Sequence, residues 1–135
     1  MMSSRFAGVL GVTKENCHTE SATAQSFTKH AVCDAVTRSE FAVTPVVSSQ
    51  NWAAEIANAA EKANTNRVVT PWAPLGDTAT RLDTAKDELS KSGIHLDQTL
   101  RPYDAVTWPH ATKGFFKLRK KIPKILTELG IAQTP

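Results

Sequence analysis

Cysteine is nearly missing from this chain, with two in 135 residues, Cys17 and Cys33. Two thiols make no disulfide framework, so a reducing cytoplasm is the default setting. Long apolar runs are missing too. No stretch approaches the roughly 18 consecutive apolar residues that a membrane-spanning helix needs, and no membrane partner is expected. The start, MMSSRFAGVLGV, has one arginine and a short apolar run with no clear small-residue cleavage pattern after it. A buried strand over residues 6–12 accounts for that run more simply than a signal peptide. Glycine numbers only six, and no Gly-Lys-Ser/Thr motif or glycine-rich phosphate loop is present.

What is present fits one soluble domain. A chain of this length buries about two-thirds of its unfolded surface, and 41% apolar with 21% charged residues is ordinary for a globular protein. The net charge of +3 hides an asymmetry. Residues 111–135 hold six basic residues and one acid, whereas the other 110 residues carry 10 basic and 12 acidic groups. The basic character belongs to one segment.

Residues 1–48 are the least legible. TKENCHTESATAQSFTKH has no clean period, and FAVTPVV is strand-like but interrupted by Pro45. The signal sharpens across residues 49–110, read as a βα core. SSQNWAAEIANAAEKAN opens with cap-type Ser48 and Ser49, places Trp52, Ile56, Ala59, Ala60 and Ala63 at helical spacing, and stops at Asn64. RVVTPWAP is a short β-branched run. In LGDTATRLDTAKDELSKSG, Asp77 reads as the N-cap, Leu82, Ala85 and Leu89 as one apolar face, and Gly93 as the left-handed stop. IHLD is a further strand. Alternation of helix and strand with short joints predicts an α/β fold, a small parallel Rossmann-like sheet flanked by helices. Ligands in such sheets sit beyond the carboxyl ends of the strands, near residues 72–77 and 98–103. QTLRPYDAVTWP reads as irregular. KGFFKLRKKIPKILTELG, within the 111–135 tail, reads as two short amphipathic basic helices broken just before Pro123 and ended by Gly130. Phe115, Leu118, Ile122, Ile125, Leu126 and Leu129 would form the apolar face.

Candidate chemistry is sparse. Lys113, Lys117, Arg119, Lys120, Lys121 and Lys124 form a basic cluster that fits neutralisation of a nucleic-acid backbone, or simply a solvated helix face. Cys17, His18, His30 and Cys33 offer four metal-ligating side chains, but without zinc-type spacing, so no metal site is expected. Trp72, Pro74 and Asp77 border a strand-to-helix turn whose amides could meet an anion, and a plain capped turn explains it equally simply. His95 and His110 stand beside no carboxylate, no serine lies in a nucleophile elbow, and no catalytic set emerges. Trp52, Trp72 and Trp108 fit packing.

Taken together, AAEIANAAEKANTNRVVTPWAP, DTATRLDTAKDELSKSGIHLD and YDAVTWPHATKGFFKLRKKIP resemble segments of the amino-terminal α/β domain of the DNA photolyase and cryptochrome family. The likeness lies in a helix leading to a strand with an aromatic, polar turn and Pro. A charged helix then ends in a Gly-Ile-x-apolar strand, and an extended Val-x-x-Pro stretch followed by aromatics comes after it. The match spans roughly the carboxyl-terminal 60% of the chain, in order and spacing rather than in an invariant signature. The family's Trp-x-Arg-x-Asp-Leu-Arg opening is absent, and so is its helical FAD domain, since the sequence stops at Pro135. The resemblance implies an antenna-type module, non-catalytic by itself, belonging to a light-dependent, flavin-using DNA repair or photoreceptor protein. FAD and an antenna chromophore are implied for a full-length relative, with no cofactor expected in this chain alone. The implied chromophore crevice is at Trp72, Pro74 and Asp77, and the implied partner is a helical FAD-binding domain. The residues read by themselves leave a different class open, a small nucleic-acid- or protein-binding module working through the basic tail.

Overall fold

A computed structural model of the chain describes residues 6–15, 20–39, 41 and 45–131. Among them are four strands, β1 (Gly11–Lys14), β2 (Val46–Ser49), β3 (Arg67–Pro71) and β4 (His95–Thr99). Six α-helices accompany them: α1 (Ala22–Thr37), α2 (Trp52–Lys62), α3 (Asp77–Lys91), α4 (Pro102–Thr107), α5 (Phe115–Arg119) and α6 (Ile122–Glu128), with a 3-10 helix at Trp108–Lys113. The chain divides into two compact units. The first holds residues 1–69 and 73–97, and the second holds residues 70–72 and 98–135.

In the first unit β1 and β2 pair in parallel, Gly11 opposite Val46 through Lys14 opposite Ser49, with α1 between them in sequence. The Thr13 and Ser48 hydroxyls meet at 2.7 Å across this pair. Helix α1 packs on β1 at a close approach. A Cβ on Gly11 would stand 2.7 Å from a methyl of Val32, 2.9 Å from one of Val36 and 3.1 Å from one of Val46. The strand expected at residues 6–12 begins only at Gly11, and the one expected at 41–47 is β2, with residues 42–44 outside the described set.

Helix α1 was not expected, and its composition explains why. Its one buried side chain is Val36, so no apolar stripe marks it; Ser21 caps it, its hydroxyl accepting from the Ala24 amide at 3.2 Å. Helix α2 shows the opposite case. Trp52, Ala53, Ile56 and Ala60 are buried on one face, and Asn51, rather than Ser48 or Ser49, caps it by accepting from the Ala54 amide at 3.0 Å.

Strands β3 and β4 are also hydrogen-bonded neighbours. In the first unit the His95 amide donates to Asn66, and in the second the Trp72 amide donates to Thr99, so the pairing climbs both strands together and is parallel. Helix α3 joins them. Its buried Leu82, Ala85 and Leu89 form one core with Trp52, Ala53, Ile56 and Leu96, joined by half-buried Leu10, Val12, Val68 and Ile94. The expected N-cap is displaced by one residue: Gly76, at φ 143°, occupies that position, and Asp77 is the first helical residue.

Three helices end alike. After α2, α3 and α6, a residue with positive φ (Asn64, Gly93, Gly130) donates to the carbonyl three back, and the next amide (Thr65, Ile94, Ile131) donates to the carbonyl five back. This is the Schellman closure, which satisfies the last carbonyls of a helix and needs a residue tolerant of the left-handed region.

The second unit is helical apart from its strand ends. The stretch expected to be irregular forms α4, with Pro102 in the first turn, where its missing N–H costs nothing. Arg101 grips buried Asp104 through two hydrogen bonds, 2.7 and 3.2 Å. The expected break before Pro123 is present: α5 and α6 are separate helices, and Ile125 is the buried anchor of α6.

Gly11→Ala forces stiff valine methyls apart and should cost about 1–3 kcal/mol. Its denaturation midpoint should fall clearly below that of Gly8→Ala, where an added methyl meets nothing within 4 Å.

Candidate functional site

Parallel strands leave their carboxyl ends beside the amino ends of the following helices, where polar side chains can converge. In the first unit β1 ends at Lys14, β2 runs into Gln50, and α3 begins at Asp77. The Lys14 ammonium donates to the Asp77 carboxylate and also reaches Glu20 at 3.3 Å. From one turn further along α3, Arg81 Nε donates to the same Asp77 oxygen at 3.1 Å, and its Nη1 donates to the Gln50 side-chain carbonyl at 3.4 Å. The Gln50 amide in turn donates to the Glu15 backbone carbonyl, tying the ends of β1 and β2. The Arg81 guanidinium lies 5.9 Å from the centre of the Trp52 ring, at the outer range of a cation–π contact. Trp52 itself is fixed by its indole N–H donating to the Ser49 carbonyl at 3.1 Å.

This is a closed charge cluster of two cations and two carboxylates. The hydrogen bond from Lys14, then that from Arg81, holds Asp77 below its ordinary 3.8. The hydrogen bond to Asp77 holds Lys14 above its ordinary 10.5. No nucleophile is paired with a base here, so the arrangement braces strand ends and could receive an anion only in exchange for Asp77.

The three residues expected to line a crevice are assigned to different units of the fold. Pro74 and Asp77 belong to the first unit and are exposed. Trp72 belongs to the second, where its ring meets Trp108 edge-on, centres 4.9 Å apart and planes at 72°. His95 and His110 are exposed. Cys17 and His18 lie outside the described residues. Among the described residues no group of three or more His, Cys, Asp or Glu is placed to hold a metal, and no helix is long and apolar enough to cross a membrane. A surface hollow of about 540 Å³ beside Phe27 and His30 is lined by α1 alone.

All six cations of the tail, Lys113, Lys117, Arg119, Lys120, Lys121 and Lys124, are exposed. None of them forms an ion pair among the described residues. Phe115 and Phe116 stand among them, 63% and 76% exposed, rings edge-to-face at 5.7 Å.

Sequence reasoning found Asp77 and missed Lys14, Gln50 and Arg81. The Asp77–Arg81 spacing of four was a readable helical ion pair. Lys14 carried no signal, because its partner lies 63 positions away and is reached only through the fold.

No protein-family description, no curated protein and no solved structure matches the chain.

Because its folded-state pKa is lowered, Asp77 stabilises the fold fully above pH 3.8, and that contribution is lost as pH falls through the folded value below it. Lys14, raised, contributes fully below pH 10.5 and loses the effect above it. Asp77→Asn should therefore lower Tm slightly at neutral pH, and thermal scans should show the gap to wild type closing below pH 3.8. A gap that persists in acid would mean that Asp77 acts through something other than its charge.

Proposed function

We propose that this chain is a photolyase/cryptochrome-like α/β module, part of or a stand-alone relative of a light-dependent, flavin-using DNA repair or photoreceptor protein. It is non-catalytic without a helical FAD-binding domain. The observation that carries this reading is the unit β3–α3–β4, two neighbouring parallel strands joined through the charged helix 77–91. A Rossmann-like arrangement is the finer form of the same reading, favoured by the second parallel pair, β1 with β2, also joined through a helix.

In this reading FAD binding belongs to the helical domain and not to the residues of the ion cluster. They are better suited to a small anionic group of an antenna chromophore. Lys14 and Arg81 converge at the carboxyl ends of β1 and β2, and a phosphate or carboxylate would exchange with Asp77 there. Trp52 beside Arg81 supplies a fluorescent reporter within the same cluster.

Titration of the purified protein with a flavin mononucleotide, a reduced folate and a deazaflavin, followed by tryptophan quenching and visible absorption, tests the chromophore role. Saturable binding of one of them, weakened about tenfold by Arg81→Ala as expected for loss of one charge-assisted contact, is the expected result. No affinity for any of the three removes the antenna role from the reading.

A further inference from the structure

The second unit places six cations and several large apolar side chains on one exposed run of chain. From Lys113 to Lys124 the sequence passes through the end of the 3-10 helix, α5 and the start of α6, and every cation in it is exposed and outside any ion pair among the described residues. The one acid of the segment, Glu128, comes after them. Phe115 and Phe116, at the head of α5, leave most of their ring surface in water, and edge-to-face packing against each other covers only a part of it. Burying such rings contributes roughly 25 cal/mol per Å², so a pair left open amid unneutralised charge is suited to a ligand that is both anionic and aromatic.

We propose that this surface binds single-stranded nucleic acid, with phosphates on the lysines and Arg119 and bases stacked on Phe115 and Phe116. Three features favour that occupant. Five of the six cations are lysines, compact point charges suited to phosphate oxygens and depleted in the cores of protein–protein interfaces. Phenylalanine gives a π-face with no hydrogen-bonding group, which supports stacking without sequence preference. The helices carrying the surface are five and seven residues long and broken between Lys120 and Lys121, far short of the continuous amphipathic helix that lies on a lipid surface. The surface uses second-unit residues alone and does not depend on the photolyase-like reading.

Fluorescence anisotropy of the full chain with labelled oligothymidylate, oligouridylate and a DNA duplex, across a salt series, tests this. With six phosphate contacts on a single strand, the log–log salt slope should be about −4. Both single strands should bind more tightly than the duplex. Phe115→Ala with Phe116→Ala should weaken single-strand binding at least about fivefold at unchanged slope, as expected when a base loses its stacking partner. Lys117→Glu with Lys121→Glu should flatten the slope. Far-ultraviolet circular dichroism of both variants should match wild type, since all four side chains are exposed. Preference for the duplex, a steep slope indifferent to the two phenylalanines, or binding only to phosphatidylserine vesicles or to an acidic peptide would each overturn the proposal. Equal affinity for the two single strands supports shared backbone-and-stacking recognition, and a tenfold preference for either would contradict it.

Discussion

The contact on which the first unit depends is the one between α2 and α3. Small side chains share in it with large ones: Ala53 of α2 and Ala85 of α3 are buried in the same core. Helix separation follows the size of the residues between two helices. Leu89, among the least exposed side chains at 2%, and Trp52 then fill the remaining space against Leu96 of β4 and the half-buried Val12 and Val68 of β1 and β3. One core thus draws on two helices and three strands. The placement of Arg81 follows from it. One position before buried Leu82, Arg81 sits at the rim of the core, with its guanidinium over the Trp52 ring and its Nε on Asp77.

Charge is handled differently in the two units. In the first, Lys14 and Arg81 are answered within the fold by Asp77 and Glu20. In the second, Arg101 is answered by Asp104, but the six cations that follow form no ion pair among the described residues. Exposed lysines cost little in water, and their mutual repulsion is screened beyond about 8 Å at physiological salt. Stability therefore neither requires nor forbids the cluster. Large exposed rings beside it are a different matter, since Phe115 and Phe116 contribute little burial where they stand.

The sequence revealed those parts of the fold in which local pattern and tertiary burial agree. Helix α3 was legible because Leu82, Ala85 and Leu89 are at once its apolar period and its buried face, and because Gly93 takes the left-handed position that ends it. The break before Pro123 was legible from the ring itself. Helix α1 was not, because a helix with one buried side chain has no stripe to read. Helix α4 was hidden by Pro102 and Pro109, taken as breakers although the first opens the helix and the second lies in the 3-10 turn that follows. Of the ion cluster, although the Asp77–Arg81 spacing of four was there to be read, only Asp77 stood out in the sequence, as a helix cap. With Gly76 at the cap, its carboxylate answers the cations Lys14 and Arg81 instead of a backbone amide of its own helix. A partner brought near by strand pairing leaves no trace in spacing.

The ion cluster also has a definite chemical character, set by the groups it lacks. Its members are a lysine, an arginine, two carboxylates and an amide, with no histidine among them. Asp77 is held charged below its ordinary range and Lys14 above its own, so each reinforces the charge of the other. Such a pair does not change state between mildly acidic and mildly basic conditions, the interval in which histidine-based switches operate. Anything that takes the place of Asp77 between Lys14 and Arg81 must therefore displace an ionised carboxylate across that interval, and cannot rely on a proton to remove it. A neutral ligand brings no charge to answer Lys14 and Arg81 in place of Asp77. An anion that offers more than one oxygen to Lys14 and Arg81 together does so, because two charge-assisted hydrogen bonds made at once can replace the single Asp77 oxygen that both cations now share.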